Sequence, residues 1–157
     1  MKKIISLLVL IFGFAIFNAQ TENLIKNSSE SYLGDIDKKT KIKVVFDSVS
    51  LQNNSPETYK VSGYSDVEGT KANFNGTIIL NLKETTKSPK ENLKIYDFKL
   101  SEEGTGKHNG IFSGSMLLLS LGKLAVIGFE GHWENYEKTL NFPIYFDNSN
   151  KIYNLKK

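Results

Sequence analysis

The stretch "GIFSGSMLLLSLGKLAVIGFEGHW" (Gly110–Trp133) decides the fold, because it holds two apolar segments and the turn between them. Beyond the apolar run around "SLGK" (Ser120–Lys123), the pattern aromatic-x-Gly-x-apolar, which has a period of two, occurs on both sides as Phe112-x-Gly114-x-Met116 and Phe129-x-Gly131-x-Trp133. That period is typical of β-strands and not of helices. The short glycine-containing turn predicts that the two strands pair as an antiparallel hairpin.

The register of this hairpin can be predicted if an aromatic ring on each strand covers a glycine on the other. Paired residue numbers then sum to 243, which places Phe112 opposite Gly131 and Phe129 opposite Gly114. A slip by one residue would move every side chain to the other face. The side chains expected on the inner face are Phe112, Gly114, Met116, Ile127, Phe129, Gly131 and Trp133.

The same alternation turns four apolar side chains outward: Leu117, Leu119, Leu124 and Val126. An apolar outer patch of this kind needs a cover or a partner. The available covers are Leu24-Ile25, the tail "KIYNLKK" (151–157) and a second molecule, and we favour a cover from within the chain. A patch left uncovered would favour a protein partner or a dimer.

The whole chain after residue 31 continues the pattern of short alternating segments separated by turn residues. Eight strands are predicted near 32–36, 41–51, 58–65, 72–82, 92–100, 110–119, 124–134 and 139–147. Because every connection is short, the fold class is all-β: an eight-stranded antiparallel up-and-down meander forming a closed or partly open lipocalin-like β-barrel. Pro143 cannot donate a ladder hydrogen bond, so the barrel is either partly open at the last strand or bulged there.

The N-terminal segment "MKKIISLLVLIFGFAIFNA" has two lysines, an apolar run and a small final residue, which is typical of a secretory signal peptide. The predicted organisation is a signal peptide (1–19), a linker or lead-in (20–31), the barrel domain (32–147) and a C-terminal tail (148–157). The expected location is the periplasm or the extracellular medium. Stable membrane insertion after signal cleavage is not expected.

Composition narrows the possible functions. The chain contains no Cys, which excludes disulfides, thiol catalysis and cysteine metal sites. Loss of residues 1–19 removes two lysines and lowers the net charge from +3 to +1. No basic stripe interleaved with aromatic residues is present, so nucleic-acid binding is not expected. No cofactor is expected either.

The strand "GFEGHWE" carries Glu130, His132 and Glu134 at every second position. Their neighbours belong to the inner face, so this line is predicted to lie on the wet outer face. These three residues are also candidate metal ligands. A zinc site needs three or four ligands that converge on the ion, and His108 is the one other imidazole in the chain. An enzyme that uses His132 with either carboxylate is a minor alternative. We expect a protein that is not an enzyme.

Ligand binding is the alternative to a filled interior. A small barrel either fills with side chains or holds one small molecule, and the many inward aromatic residues favour filling. If a pocket exists, Trp133 at the barrel mouth could form its floor. The tentative ligand-binding residues are Trp133, Phe112, Phe129 and Tyr96.

Three segments carry a family resemblance: "YKVSGYSDVEGTKANFNGTI", "YDFKLSEEGTGKHNGIFSGSM" and "FEGHWENYEKTLNFPIYF". Together they resemble small exported β-meander proteins of Bacteroidota, most of them uncharacterised, and the resemblance covers roughly residues 32–147. More distantly, the pattern is similar to lipocalin-like and avidin-like barrels. The lipocalin Gly-x-Trp lies on the first strand, whereas Gly131-x-Trp133 lies on the seventh. No polar set matches avidin's biotin site, so the resemblance implies a fold and no ligand.

The sequence therefore predicts an exported, non-enzymatic binding module, a monomer or weak homodimer, for a small apolar molecule or a protein. One alternative is an inhibitor of a secreted hydrolase that acts through a projecting loop, either "EGTGKHNG" (103–110) or "TTKSPKE" (85–91). Another is a structural or envelope protein.

Overall fold

The computed structural model describes residues 21–26, 31–54, 56–121 and 124–149. The predicted all-β class is confirmed, and the strand positions agree closely with those predicted. The strands are β1 Tyr32–Ile36, β2 Thr40–Asn54, β3 Glu57–Val67, β4 Thr70–Leu80, β5 Leu93–Glu102, β6 Gly110–Leu121, β7 Leu124–Asn135 and β8 Asn141–Asp147. Two short helices accompany them, α1 (residues 21–26) and α2 (Leu82–Lys87).

The barrel is closed. Each strand pairs antiparallel with the next along the chain, and β8 returns to pair with β1. The β1–β2, β3–β4, β5–β6 and β7–β8 connections all lie at one end of the barrel, which we call the mouth. The other end, which carries α1, we call the closed end.

Pro143 marks neither an open edge nor a bulge, so both alternatives predicted for it are wrong. The β7–β8 register runs without a shift through the His132–Pro143 pair. The Pro143 carbonyl accepts a hydrogen bond from the Asp37 N–H at 2.8 Å, so it points toward the end of β1. In an antiparallel strand the N–H and the carbonyl of one residue point to the same side, so the N–H that proline lacks would also have pointed toward β1. The last β1–β8 pair is Ile36–Ile144, so Pro143 lies just beyond the end of this ladder.

The predicted register of the β6–β7 hairpin is wrong by two residues. Phe112 pairs with Trp133, Gly114 with Gly131 and Met116 with Phe129, so paired numbers sum to 245. The hairpin closes at the Leu121–Leu124 pair, one residue later on each strand than the predicted pairing requires. A shift of two keeps every side chain on its face, which is why the five predicted inner residues other than the glycines are buried.

Aromatic rings do lie opposite glycines in this barrel, but neither of the two predicted pairs forms. Phe98 of β5 lies opposite Gly114, and Phe146 of β8 lies opposite Gly34. Gly114 and Gly131 instead face each other, and this brings the β6 and β7 backbones close together. A Cβ on Gly131 would lie 2.0 Å from the Ser113 carbonyl oxygen and 2.7 Å from the Gly114 Cα.

The middle of the barrel is filled by aromatic rings. Phe129 stacks on Phe146 at 4.7 Å between ring centroids, and Phe98 and Tyr32 meet Phe129 edge-on at 5.2 Å and 5.1 Å. Both geometries are favourable for aromatic pairs. This layer divides the interior into two ends.

Helix α1 seals the closed end. Ile25 is fully buried in the core, and the Tyr32 hydroxyl donates to its carbonyl at 3.0 Å. The expectation that Leu24-Ile25 covers the outer apolar patch is therefore wrong, because this segment closes the barrel from within. The tail considered as the other internal cover lies outside the described residues.

Helix α2 was not predicted, since residues 82–87 carry no apolar stripe and overlap a segment read as a turn. Asn81 caps it by accepting from the Glu84 N–H at 3.0 Å. The helix is tied to β5 through Thr85, which bonds both the N–H and the carbonyl of Ile95. Neither helix in the described part of the chain has the length and apolar character needed to cross a membrane.

The close approach of β6 and β7 predicts that Gly131→Ala destabilises the barrel by about 3 kcal/mol or more, because the added methyl group meets backbone atoms. Gly128→Ala is the matched control on the same strand. Its Cβ would meet nothing closer than the Tyr145 hydroxyl at 3.8 Å, so the change should stay within about 0.5 kcal/mol. Urea unfolding measures both values. Equal losses would show that the glycine pair does not set the strand distance.

Candidate functional site

A cavity of about 600 Å³ opens at the mouth of the barrel. Its lining consists of Ile36, Thr40, Ser65, Val67, Thr70, Lys71, Ala72, Glu102, His108, Asn109, Phe112, Trp133 and Phe142. This volume lies within the usual range for small-molecule sites. The interior is thus filled at its middle and open at its mouth.

The mouth cavity exists because small side chains stand at this level of the barrel. On the inner face of β4, the small residues Thr70 and Ala72 come before Phe74. On β3, the small residue Ser65 lines the cavity. One level deeper, Phe74 and Phe46 are buried and meet edge-on at 5.5 Å. The change from small to aromatic side chains along the strands sets the depth of the cavity.

Glu102, the last residue of β5, lies on the cavity wall and is only 6% exposed. Its Oε2 accepts from the Gly110 N–H at 2.9 Å and from Trp133 Nε1 at 3.0 Å. Its Oε1 accepts from the Ser65 hydroxyl at 2.6 Å. All three partners donate, which suits an ionised carboxylate, an acceptor-only group.

These bonds join four strands below the mouth. Glu102 belongs to β5, Ser65 to β3, Gly110 to β6 and Trp133 to β7. A buried carboxylate is costly unless its oxygens are hydrogen-bonded, and here each oxygen has at least one close donor. The carboxylate therefore fixes the wall of the cavity as well as its charge.

The Trp133 side chain is held from two directions. Its indole N–H is bound to Glu102, and its ring lies nearly parallel to that of Phe142, with 6.2 Å between centroids and 10° between planes. Phe112 stands opposite Trp133 in the β6–β7 register. The result is a flat, rigid apolar wall beside a single carboxylate.

The loop at 103–109 forms part of the rim. Asn109 accepts from the Gly106 N–H at 3.1 Å, and Asn135 donates to the Lys107 carbonyl at 3.2 Å. The Tyr136 hydroxyl donates to the backbone carbonyl of Glu102, and burial and the Glu102 charge raise the pKa of Tyr136. Through the Tyr136 bond, the rim is attached to the end of β5, where Glu102 lies.

The cationic lining residue does not direct its charge into the cavity. The Lys71 ammonium lies 4.9 Å from the ring centroid of Tyr64, a residue whose position alternates with the inward Ser65. His108 is exposed at the rim. Among the lining residues, the charge that remains beside the apolar wall is that of Glu102.

The four residues predicted to bind a ligand lie in different places. Trp133 and Phe112 line the mouth cavity. Phe129 is fully buried in the central aromatic layer, and Tyr96 is fully buried at the closed end, so the structure does not bring all four together. Glu102 and Ser65 were missed. The sequence pattern could have identified Glu102. It is the next alternate residue after Tyr96, Phe98 and Leu100, which were predicted to share one face of the strand.

Glu130 and His132 are exposed on the outer face of β7, and Glu134 beside them is half-buried. This agrees with the expected wet face. Within the described residues, no three side chains of His, Cys, Asp or Glu are grouped so that they could hold a metal ion.

The predicted outer patch borders a shallow groove of about 310 Å³. Leu117, Leu119 and Val126 line it together with Leu93 and Tyr145. Leu117 is 39% exposed. The side chain of Leu124 lies outside the described part of the structure.

The closed end contains a second carboxylate network. Glu57 accepts from the Tyr59 and Tyr96 hydroxyls at 3.2 Å and 3.0 Å, and its other oxygen pairs with the Lys94 ammonium at 2.7 Å. Burial, followed by the Glu57 charge, raises the pKa of both tyrosines. The Thr21 hydroxyl of α1 also bonds both, which ties the sealing helix to the strands.

No protein-family model, no curated protein and no solved structure matches the chain. The predicted resemblance to exported Bacteroidota proteins therefore stays a prediction. The function has to be inferred from the geometry of the mouth cavity.

The tyrosines of the closed end predict a loss of stability at high pH. Their folded-state pKa values lie above the ordinary value of 10.0, so their contribution is complete below about pH 10 and falls as the pH rises further. Between pH 9 and pH 11, the free energy of unfolding should fall by about 1 kcal/mol less in Tyr96→Phe than in the wild type. Urea titrations at each pH measure this. Parallel curves for the two proteins would contradict it.

Proposed function

We propose that this protein is an exported, non-enzymatic β-barrel that binds a small, largely apolar molecule in its mouth cavity. The observation that carries the proposal is a cavity of about 600 Å³ in a barrel whose middle is otherwise filled by aromatic rings. Export rests on the signal-peptide pattern of residues 1–19.

The composition of the cavity supports binding. Ligand sites are mostly apolar, with a few polar groups that fix the orientation of the bound molecule. Here Trp133, Phe142 and Phe112 supply the apolar wall, while Glu102 and Ser65 supply the polar groups. The wall is already held in place by hydrogen bonds and stacking, which lowers the cost of ordering it on binding.

The contacts in the mouth also favour binding over catalysis. The Ser65 hydroxyl donates to Glu102 and not to a histidine, and Glu102 itself is engaged by three donors. A serine nucleophile would need a base such as His108 within hydrogen-bond reach. Among the described contacts, no bond joins His108 to either residue.

Filling the cavity tests the proposal. Ala72 is half-buried on the cavity wall, so Ala72→Phe should place a ring in the space that a ligand would occupy. The probe is N-phenyl-1-naphthylamine, an uncharged apolar dye whose fluorescence rises in dry pockets. We expect saturable binding to the wild type and binding at least about tenfold weaker to Ala72→Phe, the loss of about 1.4 kcal/mol.

Thr77→Phe is the matched control, because Thr77 lies on the exposed outer face of the same strand. It adds the same ring without entering the cavity and should bind the dye like the wild type. Dye binding that is equal in all three proteins would place the dye elsewhere on the surface and would count against a mouth site. No binding to the wild type would count against it as well.

A further inference from the structure

We infer that the ligand of the mouth cavity carries a positively charged nitrogen, such as a primary ammonium group, on an apolar body. This inference rests on the proposed function and concerns the chemical class of the ligand. It follows from the unfilled acceptor capacity of Glu102, from the lack of any ion pair to Glu102 among the described residues, and from the flat aromatic wall beside it.

Glu102 retains room for one more donor. A carboxylate oxygen accepts two hydrogen bonds, and Oε2 already takes two, from Gly110 and Trp133. Among the described residues, Oε1 takes a single donor, the Ser65 hydroxyl. Glu102 and Ser65 both border the cavity, so a bound molecule can reach this oxygen from the open side.

Within the described ranges, no cationic side chain of the protein forms an ion pair with Glu102. Its three partners are a backbone N–H, an indole N–H and a hydroxyl, all of them neutral. The Lys71 ammonium lies over the Tyr64 ring. At a carboxylate that is only 6% exposed, a charge-assisted hydrogen bond from a ligand ammonium is stronger than a bond from a neutral donor.

The aromatic wall favours the same class. The indole of Trp133 is bonded to Glu102 by its N–H edge, which places its ring next to the carboxylate. The apolar body of a ligand whose charged group is held at the carboxylate would therefore lie against this aromatic wall. A carboxylate ligand would instead be repelled by Glu102.

The charges of the rim do not reverse this preference. The charged residues of the mouth turns are of both signs and lie at or near the surface: Asp37, Lys38, Lys39, Glu68, Glu103, Lys107, Glu137 and Lys138. Exposed charges are screened by water and salt over distances comparable to the width of the barrel. The buried carboxylate is screened less and decides the sign of the ligand.

Three probes of equal chain length test the inference: octylamine, a cation at pH 7, 1-octanol, which is neutral, and octanoate, an anion. Trp133 is the single tryptophan of the chain and lines the cavity, so its fluorescence reports binding directly. We expect octylamine to bind at least about tenfold more tightly than 1-octanol, and octanoate to bind most weakly. Equal affinities for octylamine and 1-octanol, or no binding of octylamine, would overturn the inference.

Glu102→Gln removes the charge and keeps the shape. Its amide oxygen can accept from Gly110 and Trp133, and its amide nitrogen can donate to Ser65, whose hydroxyl also accepts. Octylamine should bind this variant at least about tenfold more weakly than the wild type, whereas 1-octanol should change less than threefold. A parallel loss for both probes would contradict a charge-specific role.

The two levels of the proposal fail separately. If N-phenyl-1-naphthylamine binds the wild type and is lost in Ala72→Phe, while octylamine and 1-octanol bind equally, the mouth is a binding site without a charge preference. If the dye and all three octyl probes fail to bind the wild type, both the site and the ligand class are wrong. Because the comparison of probes uses the wild type, it does not depend on whether Glu102→Gln folds.

Discussion

The interior volume of an eight-stranded barrel is fixed by closure, and the rest of this structure follows from how that volume is filled. Pairing of β8 with β1 leaves a narrow space that side chains of alternate residues must share. Aromatic rings around Phe129 fill the middle, and α1 with Ile25 fills one end. At the other end the inward residues of β3 and β4 are small, so a cavity remains.

The two ends use buried carboxylates in opposite ways. At the closed end, Glu57 is paired with the Lys94 ammonium and two tyrosine hydroxyls, so its charge is satisfied within the protein. At the mouth, Glu102 has neutral donors and faces an open space. The first network holds the barrel shut, whereas the second leaves charge available to a bound molecule. This contrast is the physical basis for assigning the function to the mouth.

The sequence predicted strands and faces well because both follow from alternation, which a register error of two residues does not disturb. Alternation therefore predicted correctly that Phe112 is buried, but it could not identify the residue opposite Phe112. Alternation cannot reveal α2, whose residues face solvent and depend on an Asn81 cap. Glu102 was missed for a different reason. The strand was predicted to end at residue 100, so the next inward position was not considered. The depth of the cavity depends on side chains from several strands, which no single segment shows.

Native mass spectrometry of the protein purified gently from its own host would show whether the mouth holds a small molecule. We expect one stoichiometric additional mass on the wild type, absent from the Ala72→Phe variant prepared in the same way. We also expect the released molecule to contain a basic nitrogen. A wild-type protein without additional mass, or an additional mass that is retained when the cavity is filled, would show that the mouth is not a binding site.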